Sequence, residues 1–168
     1  MAMTTIDRGT GARLDGEAKR RRYARLTAQL EERFADTTDV VARMATAAAL
    51  LHHKMADFFW TGFYLLRDGE LTVGPYQGTL ACLVLEPHTG VCWAGVDRGE
   101  TVVVADVHAF PGHIACDSRS NSEIVVPLGD GEGRVIGVLD VDSTRFGNFD
   151  AVDADCLERI VGMIYARV

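Results

Sequence analysis

The chain lacks any long apolar run. Its longest uncharged stretch, Leu71 to Leu85, is broken by Gly74, Pro75, Gln77 and Gly78, whereas a membrane-spanning helix needs ~20 continuous apolar residues. No membrane association is expected. The start, Met1-Ala2-Met3-Thr4-Thr5 followed by Asp7 and Arg8, has no apolar segment behind a basic one. No secretory signal is therefore read there, and a cytoplasmic location is expected. Positive charge is scarce too: 17 Lys and Arg stand against 24 Asp and Glu, a net charge of −7, which is the wrong sign for a nucleic-acid footprint. Only 4 prolines occur, with no linker-like tract and no internal repeat, so nothing divides the chain. What remains is 168 residues, 48% of them hydrophobic, enough for one domain to bury its own core without a disulfide or metal staple.

Residues 1–14 read as a flexible tail and residues 15–168 as that single domain. From Glu17, the residues Tyr23, Leu26, Leu30 and Phe34 recur at helical spacing, and the basic run Lys19 to Arg22, with Arg25, reads as the solvated face of the same helix. Asp36-Thr37-Thr38-Asp39 supplies caps for a second helix ending near His53. Phe58 to Leu66 and Leu71 to Val73 read as a hairpin across Arg67-Asp68-Gly69-Glu70. Leu80 to Leu85 and Thr101 to Ala105 read as further strands, with Gly90 to Val96 a loop or short helix between them. Ser122 to Leu128 and Arg134 to Val141 form another pair, and Val152 to Ile164 a C-terminal helix capped at Asn148 or Asp150. The order gives an α+β fold with helices covering a mostly antiparallel sheet.

Four cysteines, Cys82, Cys92, Cys116 and Cys156, in an intracellular chain point to reactive rather than structural thiols. Cys156 sits among apolar residues at helical spacing and reads as a small core residue. Cys116 closes Phe110-Pro111-Gly112-His113-Ile114-Ala115-Cys116-Asp117, a stretch without strand or helix period, so it belongs to a loop that solutes can reach. His113 would favour its thiolate and Asp117 oppose it. A zinc site drawing on His108, His113, Cys116, His88 or Cys92 has poor spacing, since no C-x-x-C pair exists. Of the many acids from Asp130 to Glu158 most read as surface charge. Asp140 and Asp142 are different, because two positions apart on a strand they share one face. Glu123 begins a neighbouring strand and can join them, and like charges so placed need a cation or a proton between them.

The motifs, taken in order, are Trp60-Thr61-Gly62-Phe63-Tyr64, Gly74-Pro75-Tyr76-Gln77-Gly78 with Ala81-Cys82, Gly90-Val91-Cys92, Asp106 to Asp117, Ser122 to Leu128, and Gly137-Val138-Leu139-Asp140-Val141-Asp142-Ser143. In this they resemble the free methionine-(R)-sulfoxide reductases, which are stand-alone GAF domains. The resemblance implies a GAF-like fold with a central six-stranded antiparallel sheet flanked by helices, usually a homodimer, and thiol chemistry without metal or bound cofactor. It matches Cys116 to the attacking cysteine, Cys82 to the one that resolves it and Cys92 to an auxiliary thiol or alternative resolver. Glu123, Asp140 and Asp142 match the pocket carboxylates, and Trp60 and Tyr64 its aromatic wall. The implied reaction reduces free L-methionine-(R)-sulfoxide through a cysteine sulfenic acid and an intramolecular disulfide, which thioredoxin and NADPH recycle. One departure stands out: Trp93 follows the middle cysteine where the family commonly has a small residue, and its ring would narrow or reshape the pocket. A small-molecule sensor, or a redox-switch interaction protein without turnover, would use the same fold.

Overall fold

Three strands carry side chains of opposite character at alternating positions, and the sheet they build is covered accordingly. The structure is a computed structural model that describes residues 15–113 and 116–166. The tail expected over residues 1–14 lies outside the described residues. Helices α1 (Gly16–Phe34) and α2 (Val40–Lys54) precede strands β1 (Trp60–Arg67), β2 (Glu70–Gln77) and the two-residue β3 (Val84–Leu85). Helix α3 (Gly90–Arg98), strands β4 (Val102–Val104), β5 (Ser122–Gly129) and β6 (Val135–Ser143), and helix α4 (Ala151–Gly162) follow. The six strands form one sheet in the order β3-β2-β1-β6-β5-β4, every pair antiparallel.

Because strand side chains alternate, Phe63, Leu65, Ile124, Val126, Leu128, Leu139 and Val141 all leave the sheet on one face. There they meet Tyr23, Leu26, Leu30, Met44, Leu51, Leu157 and Ile160 of α1, α2 and α4 in the larger apolar core. On the other face Tyr64, Val125 and Val138 pack with Val91, Cys92 and Trp93 of α3. Helix α3 can approach because Gly95 faces β5: a Cβ there would lie 2.7 Å from Val125 Cγ1. This face carries the site.

The segment Leu80 to Leu85, expected as a strand, is one only at Val84–Leu85. Upstream, the Leu83 carbonyl still accepts Val73 N–H of β2 at 2.9 Å, but the Cys82 carbonyl accepts the Tyr64 hydroxyl at 3.2 Å and the preceding Thr79 carbonyl accepts Trp60 Nε1 at 3.1 Å. The basic run also needs correction at one residue. Lys19 is buried, and its ammonium donates to Asp153 at 2.6 Å and Asp150 at 2.8 Å. Asp153, read as surface charge, is 1% exposed and also accepts the Tyr23 hydroxyl at 2.8 Å. Lys19→Ala therefore leaves a buried carboxylate without its cation. We expect a loss of about 3 kcal/mol, within the range for breaking a buried pair, measured as a lower urea midpoint at unchanged slope.

Candidate active site

Register places the acids. Trp60 pairs with Asp142, and Asp142 on its other side pairs with Glu123, so these three side chains form one row across β1, β6 and β5. The next row is Gly62, Asp140 and Val125. Gly62 also pairs with Tyr76 of β2, and a Cβ on it would collide with Tyr76 and the Trp60 ring. Its bareness lets Trp60 lie between Tyr64 and Tyr76, with ring centroids at 5.8 and 5.3 Å. The resulting cavity is lined by Trp60 and Tyr64 on one side, the three carboxyl groups beneath, and Cys92, Cys116 and His113 opposite.

Cys82 and Cys116 are joined as a disulfide with Cα atoms 5.9 Å apart, 34 positions apart in sequence. Cys116 is exposed and lines the cavity, while Cys82 is half-buried and sits just outside it. The segments that carry them are tied together a second time, since the Thr79 hydroxyl donates to Asp117 at 3.0 Å. Asp117 does not face Cys116 as a lone charge. The Arg119 guanidinium donates to its carboxylate at 2.7 Å and holds its pKa well below the usual range. His113 is likewise no standing cation beside the loop. Burial and the neighbouring His108 push its pKa down.

Glu123 and Asp140 are buried, and desolvation together with the neighbouring acids drives both carboxyls well above their ordinary pKa. Interaction between the two carboxyls raises Glu123 further and partly offsets the rise of Asp140. Asp142 is raised to about 6 by burial, offset by a hydrogen bond from the Ser120 hydroxyl. Cys92 Sγ lies 4.0 Å from Glu123 Oε1, and its thiol is pushed up by burial and then by Asp140. One oxygen of Asp140, Oδ1, is buried without a hydrogen-bond partner.

Among the described residues, Cys92, Glu123 and Asp140 are the group able to hold a metal ion, their ligand atoms lying within 4.8 Å of one another. All three groups favour their protonated forms, so any cation taken there displaces protons. The histidines weighed for zinc belong to no such group.

The eight residues singled out in the sequence thus meet in one place, seven around the cavity and Cys82 through its bridge. Trp93 does not. Its ring is buried against His88 at 4.7 Å, outside the cavity lining, because the helical turn that points Cys92 at Glu123 directs the next residue elsewhere. Cys156 is half-buried against the larger core, as a free thiol. Sequence reading missed Ser120 and Arg119, which lie in an irregular loop where no periodicity marks a serine or an arginine as a partner for a carboxylate.

The sequence profile of the GAF domain family matches residues 35–164. The free methionine-R-sulfoxide reductase of Escherichia coli strain K12 is 44% identical over 142 residues, covering 84% of this chain and 86% of that one. The Saccharomyces cerevisiae protein of the same description is 38% identical over 131 residues, 74% of this chain and 73% of its own. Among solved structures, the Neisseria meningitidis free methionine-R-sulfoxide reductase in complex with its substrate superposes with a TM-score of 0.80. It is 41% identical and covers 94% of this chain and 92% of that one. The chain belongs to the GAF domain family and, within it, to the free methionine-R-sulfoxide reductases.

Proposed function

We propose that the cavity reduces free L-methionine-(R)-sulfoxide to methionine, with Cys116 as nucleophile, Cys82 as resolving thiol and a thioredoxin system as the electron source. The observation that carries this reading is the Cys82–Cys116 bridge beside a cavity floored by Glu123, Asp140 and Asp142. A sulfoxide oxygen leaves only when protonated, so reduction needs a thiolate at sulfur and an acid at oxygen. The protonated carboxyl retained between Glu123 and Asp140 is such an acid. The Cys116 thiolate attacks sulfur, the oxygen passes to Cys116 as sulfenic acid, and methionine leaves. The Cys82 thiol then displaces that oxygen as water and closes the disulfide, which an external dithiol reduces. Cys92, held protonated, is an auxiliary thiol that donates to Glu123 at 4.0 Å and attacks nothing in this cycle.

Recognition follows from charge. Asp142, ionised above about pH 6, suits the substrate ammonium, and the Trp60 face suits its methyl group, a sulfur–aromatic contact contributing about 0.3–1.5 kcal/mol. The N-terminus of α3 offers the complementary charge: Thr89, Gly90 and Val91 line the cavity, and no side chain caps that end. The first-turn amide groups of that end suit the substrate carboxylate. A methionine sulfoxide inside a peptide lacks the ammonium and would leave the acids buried and unpaired. The same reading includes a homodimer acting in the cytoplasm, with no bound cofactor.

The test is NADPH consumption with thioredoxin and its reductase, supplied with the free R epimer, the S epimer or a peptide-bound sulfoxide. Turnover confined to the free R form supports the proposal. Binding of that compound without turnover would favour a sensor. We expect kcat/KM to rise with pH through about 6, where Asp142 ionises, and to fall again at higher pH as the proton between Glu123 and Asp140 is lost. Asp142→Asn is expected to remove the acid limb. The linked effect on stability has the opposite sign. The folded pKa of Asp142 exceeds the unfolded value of about 3.9, so its stabilising contribution is full below that value and is lost as pH rises through about 6. Thermal unfolding of the ligand-free protein from pH 4 to 7 measures it.

A further inference from the structure

Two side chains are more exposed than any other large apolar group among the described residues: Leu80 at 88% and Leu83 at 74%. They flank Cys82 in sequence, two positions before it and one after, and Val84 beside them is 50% exposed. No charge interrupts the chain from Leu71 to Leu85. Across the bridge, Asp117 and Arg119 are occupied with each other at 2.7 Å. Cys116 itself is exposed. The disulfide therefore sits in an apolar surface that water covers at a cost, in the segment whose carbonyls Trp60 and Tyr64 hold in place. Leu80 lines the cavity, whereas Leu83 and Val84 do not, so substrate recognition does not explain their exposure.

We propose that Leu80, Leu83 and Val84 around the Cys82–Cys116 bridge form the docking surface for the protein dithiol that reduces it, a partner with an apolar rim around its own cysteine pair. The inference rests on the redox cycle proposed above and adds where the electron donor sits. A thiolate of the partner attacks one sulfur of the bridge, and the other sulfur leaves as thiolate and takes up a proton. The partner's second thiol then attacks the mixed disulfide and releases the first sulfur. Two electrons and two protons pass, leaving two thiols here and one disulfide in the partner. Burial of the leucines supplies the encounter with affinity that a small dithiol neither needs nor uses.

The experiment reads reduction of the preformed bridge directly, without sulfoxide, using thioredoxin in one arm and dithiothreitol in the other. Leu83→Glu and Leu83→Lys are the variants, because the Leu83 side chain is 74% exposed and its backbone carbonyl, which accepts Val73 N–H at 2.9 Å, is unaltered by the change. Both variants are expected to slow the thioredoxin arm about tenfold and to leave the dithiothreitol arm within about twofold of the parent protein. Unchanged thioredoxin rates in both variants overturn the proposal. Equal slowing in both arms overturns it too, because the effect then lies in the bridge itself. Faster reduction of one charge variant and slower reduction of the other would replace apolar docking with charge steering. Since no sulfoxide is present, a failure of substrate turnover counts against the reaction and leaves this surface to be judged on its own rates.

Discussion

Cys116→Ser is expected to lower kcat/KM for free methionine-(R)-sulfoxide by at least about 10³-fold, with substrate affinity nearly unchanged. Serine keeps the size of the side chain but has no accessible oxyanion at neutral pH and forms no sulfenic acid, so both the attack and the resolution step disappear. Cys82→Ser has a different signature. The reduced variant should release about one methionine per protein and then stop when thioredoxin is the only donor, because Cys116 is left as a sulfenic acid without the bridge that a dithiol recognises. A rapid-quench assay of methionine formed per protein separates the two variants in one measurement. Steady-state cycling by Cys82→Ser at the parent rate would remove Cys82 from the resolving role, and turnover by Cys116→Ser would remove Cys116 from attack.

The second large effect concerns the carboxyl that keeps its proton. Glu123→Gln preserves shape but supplies no transferable proton to the pair it forms with Asp140. The expected outcome is a fall in kcat of about 10²–10³, the range of general acid catalysis, with a smaller change in KM. One further consequence identifies the cause. The alkaline limb of the pH profile should move, since the proton shared with Asp140 is gone. A Glu123→Gln enzyme with an unaltered pH profile would show that Glu123 only fills space.

How far the sequence led is clearest at β6. The alternation in Val138-Leu139-Asp140-Val141-Asp142 already put both acids on one face, because a strand repeats every two residues and nothing local competes. Glu123 could be joined to them because it opens the neighbouring strand, and only the antiparallel register decides that it stands directly across from Asp142. At Leu80 to Leu85 the same logic misled. The run is apolar enough for a strand, yet Leu80 and Leu83 face water and the backbone is held by two aromatic side chains. Composition carries no information about such tertiary hydrogen bonds. Lys19 failed for a related reason. A basic run gives no sign of which member points inward, and here it is the one that meets Asp150 and Asp153 on α4. The sequence of α3 fits a loop as well as a helix because Gly90 and Gly95 weaken its local propensity, while its close packing on β5 makes Gly95 necessary.

The row Trp60, Asp142 and Glu123 also constrains how this family can change. On β6 the odd-numbered neighbours Leu139 and Val141 fill the large core, and the even-numbered Asp140 and Asp142 face the cavity. Shifting the strand by one residue would exchange the two sets, sending carboxylates into the core and leucine into the site. Insertions and deletions within β6 are therefore tolerable only in steps of two, so descendants of this chain can vary its length in even numbers or lose fold and chemistry together.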